Sequence, residues 1–258
     1  MFVFDIDGTL LSSQEEILPN TLLSLQKLNE SGHPVALCTG RTWACTEPIF
    51  KQISPWVDYI ICGNGSHIRS SNQTIIYDNN LPPHFIKQFI ELVAGLADFL
   101  IATNRMVIST SNFTPYNDVS HCIRLFDFSL FHTQIHAKNL LAYNIEQIPS
   151  CDRKEIRARL EGIDPTIKLS PTSNFWEVLS GTDNKALALR RLSIHAGIPL
   201  EQFTAFGDNH NDIEMFKVVG KSVVMGNAPS KVMEYAHYIT KSNNQDGIYD
   251  YLNKYVFN

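Results

Sequence analysis

The sequence of 258 residues has little that would place it in a membrane or on nucleic acid. No apolar run approaches the roughly 18 residues that a membrane-spanning helix needs. The apolar segment Phe2–Phe4 is followed at once by Asp5 and Asp7, which is not the pattern of a secretory signal. The net charge of −5 comes without a Lys/Arg block, so no nucleic-acid footprint is indicated. The five cysteines are an odd number with no CxxC pair, which favours thiols in a reducing cytosol. These absences predict a cytoplasmic protein, monomeric by default, with no nucleic-acid, membrane or protein partner.

What the sequence does contain, toward both ends, is an alternation of predicted strands and helices. The strands are short apolar runs, as expected for strands covered on both faces, and Gly or Pro follows several of the helices. This alternation predicts an α/β fold with a Rossmann-like parallel sheet core and helices on both faces. The predicted strands are Phe2–Phe4, Pro34–Cys38, Tyr59–Cys62, Phe203–Phe206 and Ser222–Met225, and the predicted helices are Pro19–Asn29, Trp43–Ile53, Asn184–Ala196, Asp212–Val219 and Pro229–Ala236.

The middle of the chain, residues 82–180, lacks this rhythm and is predicted to be an inserted α+β domain. Linkers near Leu81–Pro83 and Ser180–Thr182 leave residues 1–81 and 181–258 as the core domain. The helix Asp152–Leu160 has Ser150 as its expected cap and Gly162 as its expected end. The other predicted elements of the insert are a helix at Phe85–Leu96 and strands at Phe99–Ala102, Met106–Thr110, Leu140–Ile145, Ile167–Leu169 and Trp176–Leu179, with a turn at Asn104-Arg105.

The insert also contains a segment rich in histidine and phenylalanine. Two of its histidines lie four residues apart, a spacing that holds Zn²⁺ on a helix, but no helical period supports a helix there. The phenylalanines could line a substrate pocket, and packing in a core or a domain interface is the favoured interpretation. The residues concerned are His121, His132 and His136, and Phe126, Phe128 and Phe131.

Two carboxylates follow the first predicted strand directly, in the segment Asp5-Ile6-Asp7-Gly8. If the strand continues through them, its two-residue period puts Asp5 and Asp7 on the same side. Carboxylates this close repel, so a cation or a proton has to lie between them. The pair suits a nucleophile and an acid–base group, although Asp-Gly alone is also ordinary turn chemistry.

Three further segments carry polar groups beside other predicted elements. Thr39-Gly40-Arg41 follows a strand and precedes a helix, where a hydroxyl and backbone N–H groups can bind a phosphate oxygen. Lys185 lies early in the helix after the insert, and Asp208 and Asp212 follow another strand with the oxygen ligands that Mg²⁺ prefers. Each segment also has an ordinary interpretation: a helix cap for Thr39-Gly40-Arg41, a surface lysine for Lys185, and a solvated turn for Asp208 and Asp212. Ligands in open α/β sheets nevertheless bind at the carboxyl ends of strands.

Seven segments together carry a resemblance to a known family: FVFDIDGTLL, ALCTGR, CGNGS, the lysine of GTDNKALAL, FGDNHNDIEMF, VVMGNAPSKVMEYAHYIT and NNQDGI. In this order they resemble the haloacid dehalogenase-like (HAD) superfamily, and most closely its Cof-type sugar-phosphate phosphatases with a large (C2-type) cap. The resemblance implies a Mg²⁺-dependent phosphatase that hydrolyses a small phosphorylated metabolite through an aspartyl-phosphate. It also implies that the insert is a cap that sets substrate specificity. In the implied sheet, the first strand lies between the second strand and the strand before Asp208, so a crevice opens there.

The resemblance assigns the chemical steps and the metal to three acidic residues. Asp5 is expected to attack phosphorus. Asp7 is expected to protonate the leaving oxygen and then to take a proton from the hydrolytic water. The carboxylates of Asp5 and Asp208, with the backbone carbonyl of Asp7, are expected to bind Mg²⁺.

The resemblance also assigns residues around the phosphate. Thr39, Gly40 and Lys185 are expected to bind the phosphoryl oxygens. Asn211 and Asp212 are expected to support the metal and the lysine from behind. Two residues beside this position are further candidates for substrate contact: Arg41 and Asn64.

Other activities are compatible with parts of the pattern. A dehalogenase of this fold needs neither Mg²⁺ nor an acid two residues after the nucleophile, so Asp7, Asp208 and Asp212 argue against it. A phosphomutase or phosphotransferase shares the aspartyl-phosphate and stays open as an alternative. A non-catalytic sensor of phosphorylated metabolites is disfavoured because every catalytic position is filled. The fold does not choose among hexose phosphates, pentose phosphates and phosphorylated vitamins.

Overall fold

The computed structural model of the chain describes residues 1–110, 122–124, 137–143, 145, 148–169 and 175–257. They divide into two units by their contacts. The first unit is Met1–Gly40, Ile49–Asp78 and Asp183–Asn258, and the second is Arg41–Pro48 and Asn79–Thr182. The insert predicted from the sequence, 82–180, lies within the range of the second unit, to which Arg41–Pro48 also belongs.

The first unit is built on a sheet with the strand order β14-β13-β12-β1-β2-β3-β4-β5. Strand β1 pairs in parallel with β12 on one side and with β2 on the other, so it lies in the middle of the sheet. This confirms the predicted α/β architecture with a parallel sheet. The strands are β1 (Phe2–Phe4), β2 (Val35–Cys38), β3 (Tyr59–Cys62), β4 (His67–Ser70), β5 (Ile75–Asp78), β12 (Thr204–Gly207), β13 (Lys221–Val224) and β14 (Tyr238–Ile239).

Strands β4 and β5 extend this sheet in antiparallel pairing and were not predicted. Strand β3 passes into β4 through the short turn Gly63–Gly65. A connection this short can join only antiparallel neighbours, because a parallel pair needs a crossover of a dozen residues or more. The sheet is therefore mixed rather than purely parallel.

The helices agree with the predicted pattern in position and differ at several ends. The Asp212–Val219 and Pro229–Ala236 predictions were too long. Beyond Phe216 and Met233 the backbone closes three-residue turns instead of continuing the helix, since Val218 N donates to Met215 O at 3.2 Å and Tyr235 N to Val232 O at 3.1 Å. The helices are α1 (Pro19–Glu30), α2 (Trp43–Ile53), α3 (Pro83–Val93), α4 (Ser150–Ile163), α5 (Lys185–Ala196), α6 (Ile213–Phe216), α7 (Ser230–Met233) and α8 (Gly247–Tyr255).

Helix α4 corrects two predictions about its ends. Ser150 is the first helical residue rather than the cap, because Arg153 N already donates to Pro149 O at 3.0 Å. Gly162 lies inside the helix, which ends only where Asp164 takes an extended backbone. A single glycine costs a helix only about 1 kcal/mol, so its presence did not decide the end.

The second unit has its own sheet, with the order β10-β11-β9-β6-β7-β8. The turn predicted at Asn104-Arg105 is confirmed, because β6 and β7 pair antiparallel around it. Helices α3 and α4 contribute Phe85, Phe89 and Leu160 to a core that they share with the sheet. The strands are β6 (Asp98–Thr103), β7 (Val107–Ser109), β8 (Cys122–Arg124), β9 (Ala137–Tyr143), β10 (Ile167–Leu169) and β11 (Phe175–Ser180).

The long segment of the second unit, residues 79–182, begins and ends at neighbouring points. Asn79 Nδ2 donates to Ser180 Oγ and to Thr182 Oγ1, both at 3.3 Å. One amide therefore joins the first and last residues of the long segment 79–182.

Two predictions remain: those for the histidine- and phenylalanine-rich segment, and the absence of a membrane-spanning helix. The histidines and phenylalanines of the middle segment, His121, His132, His136, Phe126, Phe128 and Phe131, lie outside the described residues. Within the described ranges, every helix is too short or too polar to span a lipid bilayer.

Candidate active site

The polar segments singled out in the sequence meet at the carboxyl edge of the first unit's sheet. Asp5 follows β1 and stays in the sheet's hydrogen-bond pattern, since its N–H donates to Phe206 O at 3.0 Å. Thr39 follows β2 in the same way, with its N–H donating to Ile61 O at 2.9 Å. Asp208 follows β12, the other neighbour of β1. Parallel strands thus place all three residues along one edge, where ligands bind in open α/β sheets.

The loop after β1 does not continue as a strand through Asp7. Leu10 N donates to Asp5 O at 3.3 Å and Leu11 N to Ile6 O at 2.9 Å, so the chain curls immediately after Asp5. As a result Asp5 is buried and Asp7 is exposed. The condition for the strand period to align the two carboxylates is therefore not met, because backbone hydrogen bonds within the loop turn the chain first.

Gly8 allows this loop to approach the loop after β12. Its φ of +74° lies in the region that favours glycine, and a Cβ at this position would overlap the carboxylate of Asp208. The two acidic loops can therefore come together only with a glycine at the turn.

Lys185 connects two of the carboxylates in the interior. Its Nζ donates to Asp5 Oδ1 at 2.5 Å and to Asp212 Oδ1 at 2.6 Å, and the lysine side chain is fully buried. Burial disfavours its charge, but Asp212 and Asp5 outweigh burial and raise the pKa of Lys185 above its usual value. Burial raises the pKa of Asp5 well above its usual range against the opposing charge of Lys185, with Asp212 and Asp208 acting in the same direction as burial. One cation thus faces several acids, and the cluster favours a second cation.

Asp212 is held by protein donors through both of its oxygens. Its Oδ1 accepts from Lys185, and its Oδ2 accepts from the N–H groups of Asp208 and Asn209 at 3.0 and 2.9 Å. Asp208 itself is half-buried. Burial, followed by the charge of Asp212, raises the pKa of Asp208 to about 6. Asp212 thus fixes the lysine and the start of the Asp208 loop together.

The three carboxylates form a group that could bind a divalent ion. One oxygen from each of Asp5, Asp208 and Asp212 lies within 4.8 Å of the other two. Carboxylate oxygens are the ligands that Mg²⁺ prefers, and an excess of buried negative charge needs compensation. The donor set therefore fits Mg²⁺.

The start of α5, which carries Lys185, is fixed by contacts of the two preceding residues. Asp183 Oδ1 accepts from Tyr77 Oη at 3.1 Å and from Arg191 Nη1 at 2.9 Å. Asn184 caps the helix by accepting from Leu187 N at 2.8 Å. These contacts fix the backbone position of Lys185, from which its side chain extends to Asp5 and Asp212.

The remaining predicted residues gather around the Thr39 loop, with one exception. Thr39 is buried, and a Cβ on Gly40 would lie 3.3 Å from the side-chain amide of Asn64. Asn64 has a φ of +52°, and its Oδ1 accepts from Asn211 Nδ2 at 3.0 Å. Asn211 is therefore connected directly to the loop that contains Asn64. Arg41, the exception, belongs by its contacts to the second unit and is buried.

Sequence reasoning missed two residues that contact Asp208. Thr9 Oγ1 donates to Asp208 Oδ1 at 3.2 Å, and Asn227 Nδ2 donates to Asp208 Oδ2 at 3.1 Å. Asn227 follows β13, and its position after a strand at the carboxyl edge was the available signal. Thr9 offered no signal beyond its place in the acidic loop.

Replacing Gly8 by Ala should lower the free energy of unfolding by about 1–3 kcal/mol, because the methyl group meets Asp208 and the backbone is strained. Gly32→Ala is the matched control, since Gly32 has a φ of +71° and open space around it. Urea denaturation of both variants would measure the difference. Equal losses would mean that the approach of the two acidic loops does not depend on Gly8.

The sequence matches a known protein family and several named relatives. A model of the family described as haloacid dehalogenase-like hydrolase matches residues 2–252. A Haemophilus influenzae protein named "Putative phosphatase" is 30% identical over 251 residues, covering 95% of this chain and 93% of that protein. The 5-amino-6-(5-phospho-D-ribitylamino)uracil phosphatase YitU of Bacillus subtilis is 27% identical, covering 99% of this chain and 97% of that protein.

Solved structures agree in fold. The crystal structure of a haloacid dehalogenase-like hydrolase from Bacteroides thetaiotaomicron has a TM-score of 0.87 to this chain at 24% identity. The match covers 98% of both chains. At this identity the likeness concerns the fold alone.

Proposed function

Because the chain belongs to the haloacid dehalogenase-like hydrolases, as the sequence resemblance predicted, we propose that it hydrolyses small phosphate monoesters through phosphorylation of Asp5. The observation that carries the proposal is the buried contact of Asp5 with Lys185 beside Asp208. A carboxylate attacks an anionic phosphate poorly, because like charges repel. Fixed cations beside the carboxylate remove that barrier, and positioning with charge stabilisation supplies most of the catalysis.

Two displacements at phosphorus complete the reaction. In the first, an oxygen of Asp5 forms a bond to phosphorus while the ester P–O bond breaks, and Asp7 gives its proton to the leaving oxygen. In the second, Asp7 takes a proton from water as that water attacks phosphorus, and the bond to Asp5 breaks to release phosphate. The exposed side chain of Asp7 suits an acid–base group that must reach substrate and water. Such catalysis contributes typically ~10²–10⁴-fold.

Mg²⁺ would be held by the carboxylates of Asp5 and Asp208 and by the backbone carbonyl of Asp7. When bound, it supplies charge stabilisation to the phosphoryl oxygens. Asp212 is less suitable as a primary ligand than Asp208, because two backbone N–H groups already donate to its Oδ2 and the Lys185 ammonium contacts its Oδ1. We assign it instead to holding Lys185 and the Asp208 loop.

Other residues would bind the substrate. Thr39, Gly40 and Lys185 would contact the phosphoryl oxygens, with Lys185 providing a fixed positive charge. Asn64 would contact substrate from the neighbouring loop, where Asn211 fixes its side chain. Arg41 is a further candidate. We also infer, from the resemblance, that the second unit selects the leaving group.

The substrate class is a small phosphorylated metabolite. YitU, by its name, acts on a phosphate ester of a ribityl chain, and HMP-PP phosphatases are also among the relatives. These names favour phosphorylated sugars, sugar alcohols and vitamin precursors over phosphoproteins. A phosphotransferase or phosphomutase would use the same phosphorylated Asp5 and differs in having an organic hydroxyl replace water.

A phosphate-release screen over sugar phosphates and vitamin precursor phosphates, with Mg²⁺ and with EDTA, tests the proposal. We expect release that depends on Mg²⁺, falls to background in EDTA and returns when Mg²⁺ is added in excess. Strong turnover in EDTA would contradict the metal site, and absence of release from every ester would contradict the phosphatase. Product analysis in the presence of sugar acceptors separates hydrolysis from transfer, since transfer would yield a new phosphate ester.

A further inference from the structure

The loop that follows β13 carries an asparagine that contacts both acidic loops of the first unit. Asn227 Nδ2 donates one hydrogen bond to Gly8 O at 2.9 Å and one to Asp208 Oδ2 at 3.1 Å. The two N–H groups of a single amide therefore join the loop after β1 to the loop after β12. None of the roles implied by the family resemblance uses this residue.

The orientation of this amide is fixed by backbone partners. Asn243 N donates to Asn227 Oδ1 at 3.0 Å, while Gly8 O can only accept. A donor on one side and an acceptor on the other leave one way to place the amide oxygen and nitrogen. The backbone of the loop is held as well, because Met225 N donates to Gly207 O at 3.0 Å and Gly226 N to Lys241 O at 3.1 Å.

Asn227 donates to one oxygen of the Asp208 carboxylate, and the other oxygen also accepts a hydrogen bond. Thr9 Oγ1 donates to Asp208 Oδ1 at 3.2 Å, so each oxygen of Asp208 has one donor on the protein side. A carboxylate oxygen has two lone pairs, and each therefore retains one direction in which a cation can bind. The two donors determine the plane of the carboxylate before any ion arrives.

We propose that Asn227 is a positioning residue for the metal site: it holds the Asp208 carboxylate and the turn at Gly8, next to the Asp7 carbonyl, in the arrangement that binds Mg²⁺. This inference rests on the proposed function. An oriented carboxylate loses little freedom when the ion binds, so its affinity for the ion is higher. Removing a partner of a metal ligand typically lowers metal affinity by about 10–100-fold.

Calorimetric titration of the metal-free protein with Mg²⁺ tests the proposal directly. Asn227→Leu keeps a similar side-chain size without the donors, and Asn227→Ala removes them without adding a large apolar group. We expect both variants to bind Mg²⁺ about 10–100-fold more weakly than the unmodified protein. Asn244→Ala is the matched control, because Asn244 is an exposed asparagine whose Oδ1 accepts from Ser13 N at 2.8 Å. It should leave the affinity for Mg²⁺ unchanged.

Kinetics separate positioning of the metal ligand from a general structural effect. In the Asn227 variants, the Mg²⁺ concentration for half-maximal activity should rise by the same factor as the dissociation constant. At saturating Mg²⁺, kcat and the KM for the phosphate ester should approach those of the unmodified protein. A merely structural role would instead lower kcat at all Mg²⁺ concentrations without moving the half-maximal point.

The outcomes distinguish this inference from the proposed function. If the unmodified protein binds Mg²⁺ and hydrolyses esters, but the Asn227 variants bind Mg²⁺ equally well, Asn227 is not a positioning residue and the proposed function stands. If the unmodified protein does not bind Mg²⁺, both proposals fail. Weakened binding in the Asn227 variants with normal binding in Asn244→Ala supports the assignment.

Discussion

Replacing Asp5 by Asn is expected to abolish phosphate release, with a loss on the order of 10⁴-fold or more, because an amide cannot form the acyl-phosphate. The substitution keeps the shape of a side chain that is only 5% exposed. Lys185 keeps its hydrogen bond to Asp212 at 2.6 Å, so the fold should survive. Phosphate release with the best ester of the screen measures the effect.

Asp250→Asn provides the control for this experiment. Asp250 forms an ion pair with Lys241 at 2.6 Å between two exposed side chains, and its loss should leave activity unchanged. Borohydride reduction of acid-quenched enzyme would also convert a phosphorylated Asp5 to homoserine, which mass spectrometry detects in the N-terminal peptide. Normal turnover by Asp5→Asn, or homoserine at another position, would refute the assigned nucleophile.

Replacing Lys185 by Met should destabilise the metal-free protein by about 3–5 kcal/mol, because the change leaves Asp5 and Asp212 buried without their shared cation. Both carboxylates contact the ammonium at 2.5–2.6 Å, and the lysine side chain is fully buried. Urea denaturation in EDTA measures this loss. Activity should fall too, since the proposed phosphate contact is removed.

Two further variants identify the cause of that loss. Asp212→Asn in the Lys185→Met background removes one of the uncompensated charges and should restore part of the stability, which a double-mutant cycle quantifies. Lys217→Met removes an exposed ion pair with Glu214 and should cost less than about 1 kcal/mol. If Lys185→Met were no more costly than Lys217→Met, the buried cluster would not depend on the lysine charge.

The sequence predicted the central strands well because their signal is local. Tyr59–Cys62 was predicted to the residue, and Phe2–Phe4 likewise, since each is a short apolar run with an aspartate at one end. The β4–β5 hairpin was missed. Its strands contain His67, Arg69 and Asp78, and their pairing depends on the sheet edge that β3 offers.

In the candidate site, too, the residues with a local sequence signal were predicted, and the long-range contacts were not. Asp5, Asp7 and Asp208 were singled out from their places after predicted strands. The contact of Lys185 with Asp5 joins residues 180 positions apart, which no local pattern contains and which only the family resemblance suggested. The strand period could not relate Asp5 to Asp7, because the strand ends at Phe4 and the backbone curls after Asp5. Asn227 lies in a segment that carries the family resemblance but was not singled out, because its partners Gly8 and Asp208 belong to other loops.

The hydrogen bonds from Asn79 to both ends of the 79–182 segment have an evolutionary consequence. Because that segment departs and returns at one place, its interior can be lengthened, shortened or exchanged while its two ends stay where they are. Mutation can therefore remodel the insert while the acidic edge of the first unit is left intact. If the insert selects the leaving group, as we propose, new substrate preferences can arise without rebuilding the acidic site.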